Sequence, residues 1–402
     1  MRMIRAVAIM LTLTVTITLV GCVSYVDLSD RAIVQAIGID YLPDKKVYRI
    51  SMQYFNQSSE GGQNQIDKTQ DNVLKSVGEG ESIFEAAKNA SMLTGKDLLL
   101  SENRLIIIGK ELRKYKLCDT LEFFVGNYHS HPQAYVAAAE DTAEELLDIR
   151  FKEGSTSSQR LANLIHNASV ESRNESTYPY QVMTMLCTST ESAFLPLLTT
   201  ATLKTDVTIP KETGGGKGNG GGEEQSEDGE KTIILDGGVV FKGGKELCRV
   251  DDDGATAIFF MNDTPSEYSF TVPLEHNAMP SVTLIGVTRS IKATEYNGKV
   301  KFDVTFSASG KIGTKGGMKE DDKKAAEKVA EPAERELKRK IESSLIPIAE
   351  KGCDVFGLEN TLRRCCNRFY RENKDRVGEI IAESEIEVNV NIDIFSQGIG
   401  GA

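Results

Sequence analysis

The sequence predicts an α/β chain (α+β in its segregation of elements) with more than one domain, and three observations carry that expectation. Strand-type and helix-type segments alternate through the first half, as a sheet layered against helices requires. Near the C-terminus Ile386, Val388, Val390, Ile392 and Ile394 alternate with Glu387, Asn389, Asn391 and Asp393, the period-two pattern of a strand with one buried face. Finally, 402 residues exceed one compact core, and a glycine-rich acidic stretch interrupts the chain at 210–232. The expected division is a lipoprotein signal peptide at 1–21 and an N-terminal α/β region at 22–209, one domain plus part of a second. A linker or loop follows at 210–232, then a C-terminal region at 233–402 that closes on an α/β domain.

The first segment has the three parts of an export signal: Arg2 and Arg5, an apolar core from Ala6 to Val20, and the small residue Gly21 before Cys22. Leu19-Val20-Gly21-Cys22 resembles a bacterial lipobox, in which the cysteine thiol receives a diacylglyceryl group before cleavage. The alternative is an uncleaved membrane helix. The run is shorter than the roughly 20 residues a bilayer span requires, and Thr12, Thr14, Thr16 and Thr18 dilute it. Cys22 is therefore the expected site of lipid attachment, with the mature chain anchored and not spanning.

Ala32 to Asp40 and Val47 to Phe55 read as a hairpin around Pro43 and Asp44, the second strand alternating Tyr48, Ile50, Met52 and Tyr54 with Arg49, Ser51 and Gln53. The polar stretch from Asn56 to Gln70 reads as a loop. Helix starts are expected where Ser82 precedes Glu85, Asp119 precedes Glu122 and Thr142 precedes Glu145, each the spacing of a capping box. Arg104 to Gly109 and Gln133 to Ala139 read as interior strands, and Ser157 to Ala168 and Tyr180 to Cys187 as helices. After the break, strands flank Gly243-Gly244, and a hairpin runs from Val282 to Phe306 with its turn at Asn297-Gly298. A loop at Gly310 to Gly317 leads into a charged helix from Lys319 to Glu350, with Pro332 as an internal start or kink. A second helix covers about Leu358 to Glu372.

Charge and cysteine usage exclude several function classes. The 47 basic and 59 acidic residues give a net charge of −12, and loss of Arg2 and Arg5 with the signal makes the chain more acidic still. Such a surface disfavours nucleic acid and does not match anionic headgroups. Besides Cys22 there are Cys118, Cys187, Cys248, Cys353, Cys365 and Cys366, irregularly spaced and expected as buried free thiols. No paired CxxC or HxxxH spacing suggests a metal.

The search for catalytic groups returns little. His129 and His131 fall in a polar turn before Pro132, His166 in a helix and His276 in a loop. No GxSxG, HExxH or cysteine–histidine signature is present. Asp251, Asp252 and Asp253 lack the pattern of a calcium loop and are expected in a solvated turn. Within the glycine-rich break Lys217 is followed by Gly218, so the Ser or Thr that a phosphate-binding loop needs is missing. No catalytic, cofactor-binding or metal-binding residue is expected; binding or scaffolding outranks catalysis.

Several segments together resemble the lipoprotein C subunit of bacterial spore germinant receptors, the Ger(x)C family. They are the lipobox, DLSDRAIVQAIGID ending at Asp40, RLIIIGKEL with Leu121-Glu122-Phe123-Phe124, GGVVFKGGKEL, DVFGLENTLRR and EIEVNVNIDI. Two departures are Val23, where family members often carry tryptophan, and the long acidic break. The resemblance implies an elongated protein of three domains, each a sheet flanked by helices. It also implies a lipid anchor on Cys22 at the outer face of the spore inner membrane, A-type and B-type integral membrane subunits as partners, no enzymatic activity, and a role in nutrient-triggered germination. The alternative is an extracytoplasmic ligand-binding lipoprotein of a transporter.

Overall fold

The fold is described from a computed structural model over residues 3–5, 9–10, 30–55, 73–115, 117–126, 130–151, 156–203 and 230–395. Cys22, the polar stretch 56–70, His129 and positions 210–229 of the break lie outside these. Strand pairing begins at Glu230, so positions 230–232, expected as linker, belong to a strand.

The first sheet grows from the predicted hairpin. Strands β1 (Arg31–Leu42) and β2 (Val47–Phe55) pair antiparallel, and β3 (Val73–Gly80) extends that edge. Short β4 (Asp97–Leu99), β5 (Leu105–Ile108), β6 (Tyr135–Ala139) and β7 (Ser192–Leu203) continue in parallel, while β8 (Glu230–Lys242) and β9 (Lys245–Val250) close it antiparallel. The nine strands run in the order β3-β2-β1-β5-β6-β7-β8-β9, with β4 beside β1. Helices α1 (Ile83–Thr94), α2 (Leu117–Gly126) and α5 (Pro179–Leu186) share one apolar cluster with one face of this sheet. Helices α3 (Ala143–Asp148) and α4 (Ser157–Val170) share another with the opposite face.

Coverage on both faces overrides the period-two reading of β2. Ser51 is fully buried and Gln53 nearly so. Gln53 satisfies its amide by donating to the Leu147 carbonyl at 2.6 Å and accepting from the Ser158 amide at 3.3 Å, so a polar residue sits inside without an unpaired group. Caps form at Ser82 and Thr142, whose hydroxyls accept from the Glu85 and Glu145 amides. Asp119 does not cap: α2 begins at Leu117, because that residue's apolar side chain is fully buried and its amide donates to the Gly244 carbonyl at 2.8 Å.

The IGID and IIIG segments meet directly. Buried Asp40 accepts from the Ala143 and Glu144 amides at 2.8 and 3.1 Å, closing the N-terminus of α3. A Cβ at Gly109 would lie 1.9 Å from its carboxylate, so only glycine admits this approach. Burial pushes the Asp40 carboxyl above its usual range, and the two amide donors oppose that shift.

The second sheet has four strands, β10 (Glu267–Thr271), β11 (Ser281–Tyr296), β12 (Lys299–Thr314) and β13 (Glu385–Phe395). Asn297 and Gly298 both have positive φ, 52° and 79°, as the tight turn between β11 and β12 demands. The parallel return to β13 is a crossover through α7 (Asp322–Ala349), α8 (Leu358–Cys365), α9 (Asn367–Glu372) and α10 (Val377–Ala382). Gly310 and Gly313 lie within β12 instead of a loop, and α7 runs through Pro332 as one span. The helix expected from Leu358 to Glu372 breaks at Cys366, whose backbone leaves the helical region.

Helix α6 (Asp252–Asn262) joins the sheets: its apolar residues share one cluster with Phe194 and Val240 of the first sheet and with the strands of the second. The α/β class is the expected one. The described strands gather into two sheets, not one for each of three domains, because β7 and β8 pair with each other across the break.

Candidate functional site

In open α/β sheets, ligands bind beyond the carboxyl ends of the parallel strands. Here that position is filled by the chain itself. Past β5 and β6, Lys110 pairs with Asp141 at 3.2 Å, Arg249 with Glu140 at 2.5 Å, and fully buried Arg113 with Glu246 at 3.4 Å. Arg113 and Arg249 draw the β8–β9 hairpin onto the first half of the chain.

A second place does concentrate unspent polar groups: the junction between the sheets, where residues 174–192, the end of α6 and the segment 353–374 meet. Asp354 organises it. One carboxylate oxygen accepts from the Phe356 and Leu358 amides at 3.1 and 2.9 Å, the other from the Glu359 amide at 2.7 Å, and its own amide donates to Ser192 Oγ at 2.9 Å. This fixes the turn into α8 and ties it to β7. Burial pushes the Asp354 carboxyl up against the opposing pull of those three amides.

Glu359, also buried, accepts through Oε1 from the Ser189 amide at 3.2 Å and from the Tyr370 hydroxyl at 3.0 Å. Its Oε2 and the neighbouring Ser189 Oγ are buried with no partner. They line a cleft of about 550 Å³ together with Asn262 and the exposed cations Arg363 and Lys374. The arrangement offers acceptors to a hydrogen-bond donor inside and positive charge at the rim. Among the described residues, no cluster of three or more histidine, cysteine or acidic side chains stands ready for a metal.

Beside the cleft, Asn262 Nδ2 bridges Glu175 Oε2 at 2.9 Å and the Val355 carbonyl at 2.8 Å. Burial raises the half-buried Glu175 carboxyl to about 7, nearby Asp263 adds to the rise, and the Asn262 bond and Arg289 oppose it. A carboxyl protonated more tightly in the folded state stabilises below its unfolded pKa and loses that contribution as pH rises towards 7. Glu175→Gln is therefore expected to gain melting temperature over the parent progressively from pH 5 to pH 8, by about 1–3 kcal/mol in stability at the upper end. Parallel melting curves across that range check it; a pH-independent difference refutes the assignment.

The residues singled out from sequence fare differently. Cys22 and His129 lie outside the described residues. His131 accepts from the Gln133 amide at 3.1 Å in a turn, exposed His166 meets the Tyr135 hydroxyl at 3.2 Å on α4, and His276 sits in a short turn, so nothing brings these three together. The three aspartates are not a solvated turn: Asp251 caps α6, Asp252 accepts from the Gly237 amide, and Asp253 pairs with Lys340 and Arg339. The six described cysteines are free as expected, although Cys353 alone among them is buried and Cys187 and Cys365 are exposed. Sequence reasoning passed over Glu175, Asp354 and Glu359. Only the acid spacing in DVFGLEN hinted at the last two, and nothing local distinguished Glu175.

Comparison with known proteins covers nearly all of the chain. Residues 24–200 match the model of the spore germination protein N-terminal domain, and residues 236–398 that of the spore germination B3/GerAC-like C-terminal domain. A curated relative, spore germination protein KC of Bacillus subtilis (strain 168), is 24% identical over 405 aligned residues, covering 98% of this chain and 95% of the relative. The crystal structure of the GerBC protein has the same fold, with a TM-score of 0.50 and 13% identity over 89% of this chain and 96% of that one.

Proposed function

Since the chain belongs to the Ger(x)C family of spore germination proteins, whose members are non-catalytic germinant-receptor subunits associated with membranes, we propose that it is the lipid-anchored C subunit of a nutrient germinant receptor. The observation that carries this is the match of both family domains, in order, over both halves of the chain. The anchor would be Cys22, placing the protein at the outer face of the spore inner membrane. There it would assemble with A-type and B-type integral membrane subunits. Confinement to a surface raises its effective concentration near those partners, so modest contacts suffice for assembly. The finding that no described helix is long and apolar enough to cross a bilayer accords with attachment through lipid.

Affinity purification of the full chain from detergent-solubilised spore membranes is expected to recover two multi-span proteins. Deleting its gene is expected to abolish the response to at least one nutrient. Recovery of the chain alone, together with unchanged germination in a strain without a paralogue, would overturn the proposal.

A second reading, a ligand-binding lipoprotein of a transporter, is favoured by one observation, the unsatisfied Glu359 Oε2 and Ser189 Oγ in the junction cleft. A ligand filling it at 100 times its dissociation constant would add about 2.7 kcal/mol of stability. A thermal-shift screen of amino acids and sugars separates the two readings.

A further inference from the structure

The entry point of the chain into the fold and three exposed apolar residues lie at the same end of the first sheet. Strand β1 starts at Arg31, and Arg31 stands opposite Asp97 of β4 in parallel register. Asp97 follows directly on α1, which Gly95 terminates in the left-handed conformation. The last turn of α1 therefore sits beside the start of β1. That turn carries Met92 and Leu93, 70% and 74% exposed.

A third exposed apolar residue lies at this end. Helix α1 runs antiparallel to β3: Gly80 backs onto Glu85 and Ala86, Gly78 onto Ala86 and Ala90, and Ser76 Oγ donates to the Ala90 carbonyl. One step further along the same face of β3, Leu74 comes alongside the last turn of α1, itself 41% exposed. Scattered exposed apolar residues are ordinary; these three share the end of the sheet at which the chain enters it.

Chain length says what that surface meets. Cys22 lies eight positions before Asp30, a tether that spans at most about 30 Å when fully extended. With the anchor in the bilayer, this end of the sheet is held within reach of the headgroups. We infer that Leu74, Met92 and Leu93 form a lipid-contacting edge that rests on the membrane surface and sets the orientation of the first sheet above it. The inference depends on acylation of Cys22 as proposed above, and adds an orientation that acylation alone does not dictate. Insertion of such side chains to the headgroup–acyl boundary adds apolar burial to the anchor.

The chain contains no tryptophan, so one introduced indole reports without background. The acylated full-length Leu93→Trp chain is reconstituted into phosphatidylcholine vesicles, with Tyr296→Trp at the β11–β12 turn as the comparison. The result expected is blue-shifted emission from the Leu93→Trp chain, quenched when brominated phosphatidylcholine replaces the ordinary lipid, while emission from the Tyr296→Trp chain is unaffected. Vesicle flotation is scored on the same samples. A Leu93→Trp chain that floats with its emission unquenched overturns the lipid-contacting edge and leaves the anchor standing. Blue-shifted emission already present in detergent-free acyl-less protein and insensitive to bromine overturns it in favour of cover by the chain's own segment 56–72, which departs after Phe55 and returns at Val73 of the same end. Equal quenching in both variants also overturns it, and a chain that does not float overturns the anchor and this inference together.

Discussion

A Cys22→Ala chain is expected to be released from the membrane or mislocalised, and to lose receptor function with it. Each buried methylene contributes about 0.8 kcal/mol, and one acyl chain alone gives marginal, reversible attachment, so loss of diacylglycerol lowers partitioning by well over about a hundredfold. The chain carries 59 acidic against 47 basic residues, so attraction to anionic lipid does not substitute. Fractionation of spores with immunodetection of the chain is the measurement. Because Cys22 precedes the described fold, the variant's folded part should melt as the parent does, which separates mislocalisation from misfolding. Full membrane retention with intact germination would show that Cys22 is not the anchor.

The second large effect is expected at Asp354. Its carboxylate satisfies three backbone amides between Phe356 and Glu359, and its own amide reaches Ser192 on the first sheet. Asp354→Ala leaves those donors without a partner in a buried turn, at about 1–3 kcal/mol each before water relieves part of the loss. A net destabilisation of about 3–5 kcal/mol is expected, seen as a lower urea midpoint. Asp354→Asn keeps one acceptor oxygen and should lose about half as much. The turn that Asp354 holds also carries Glu359 into contact with Ser189 and Tyr370. Proteolytic cleavage within 351–358 should therefore rise sharply in the alanine variant, and equal susceptibility in both proteins would mean that the turn is held by other contacts.

Both effects concern residues that differ in how they are visible. Cys22 stands in a local signal, whereas Asp354 looks like any acidic residue before an apolar pair until its three donors are placed around it. The same contrast runs through the fold. The β11–β12 hairpin and β13 were legible because one face of each strand is solvated, so buried residues recur with period two. Strand β2 lies where the pattern places it, but without the solvated face that the same rule implies. Its second face is covered by α3 and α4, which bury Ser51 and Gln53 beside the apolar residues. Asp119 matched a capping spacing, yet burial of Leu117 set the start of α2 two residues earlier.

What the sequence determined by itself is therefore what local chemistry dictates: strand and helix types, most caps and turns, the expected site of acylation, and through the order of its segments the likeness to a family. Tertiary structure alone decided the pairing of β7 with β8 across the break, the filling of the strand ends by Arg113 and its partners, and the polar junction around Asp354, Glu359 and Glu175. The physical reason is one of range. Periodicity, capping and lipobox chemistry act between residues a few positions apart, whereas burial, ion pairing and the satisfaction of a buried carboxylate such as Asp40 by the amides of Ala143 and Glu144 depend on groups that only folding brings together.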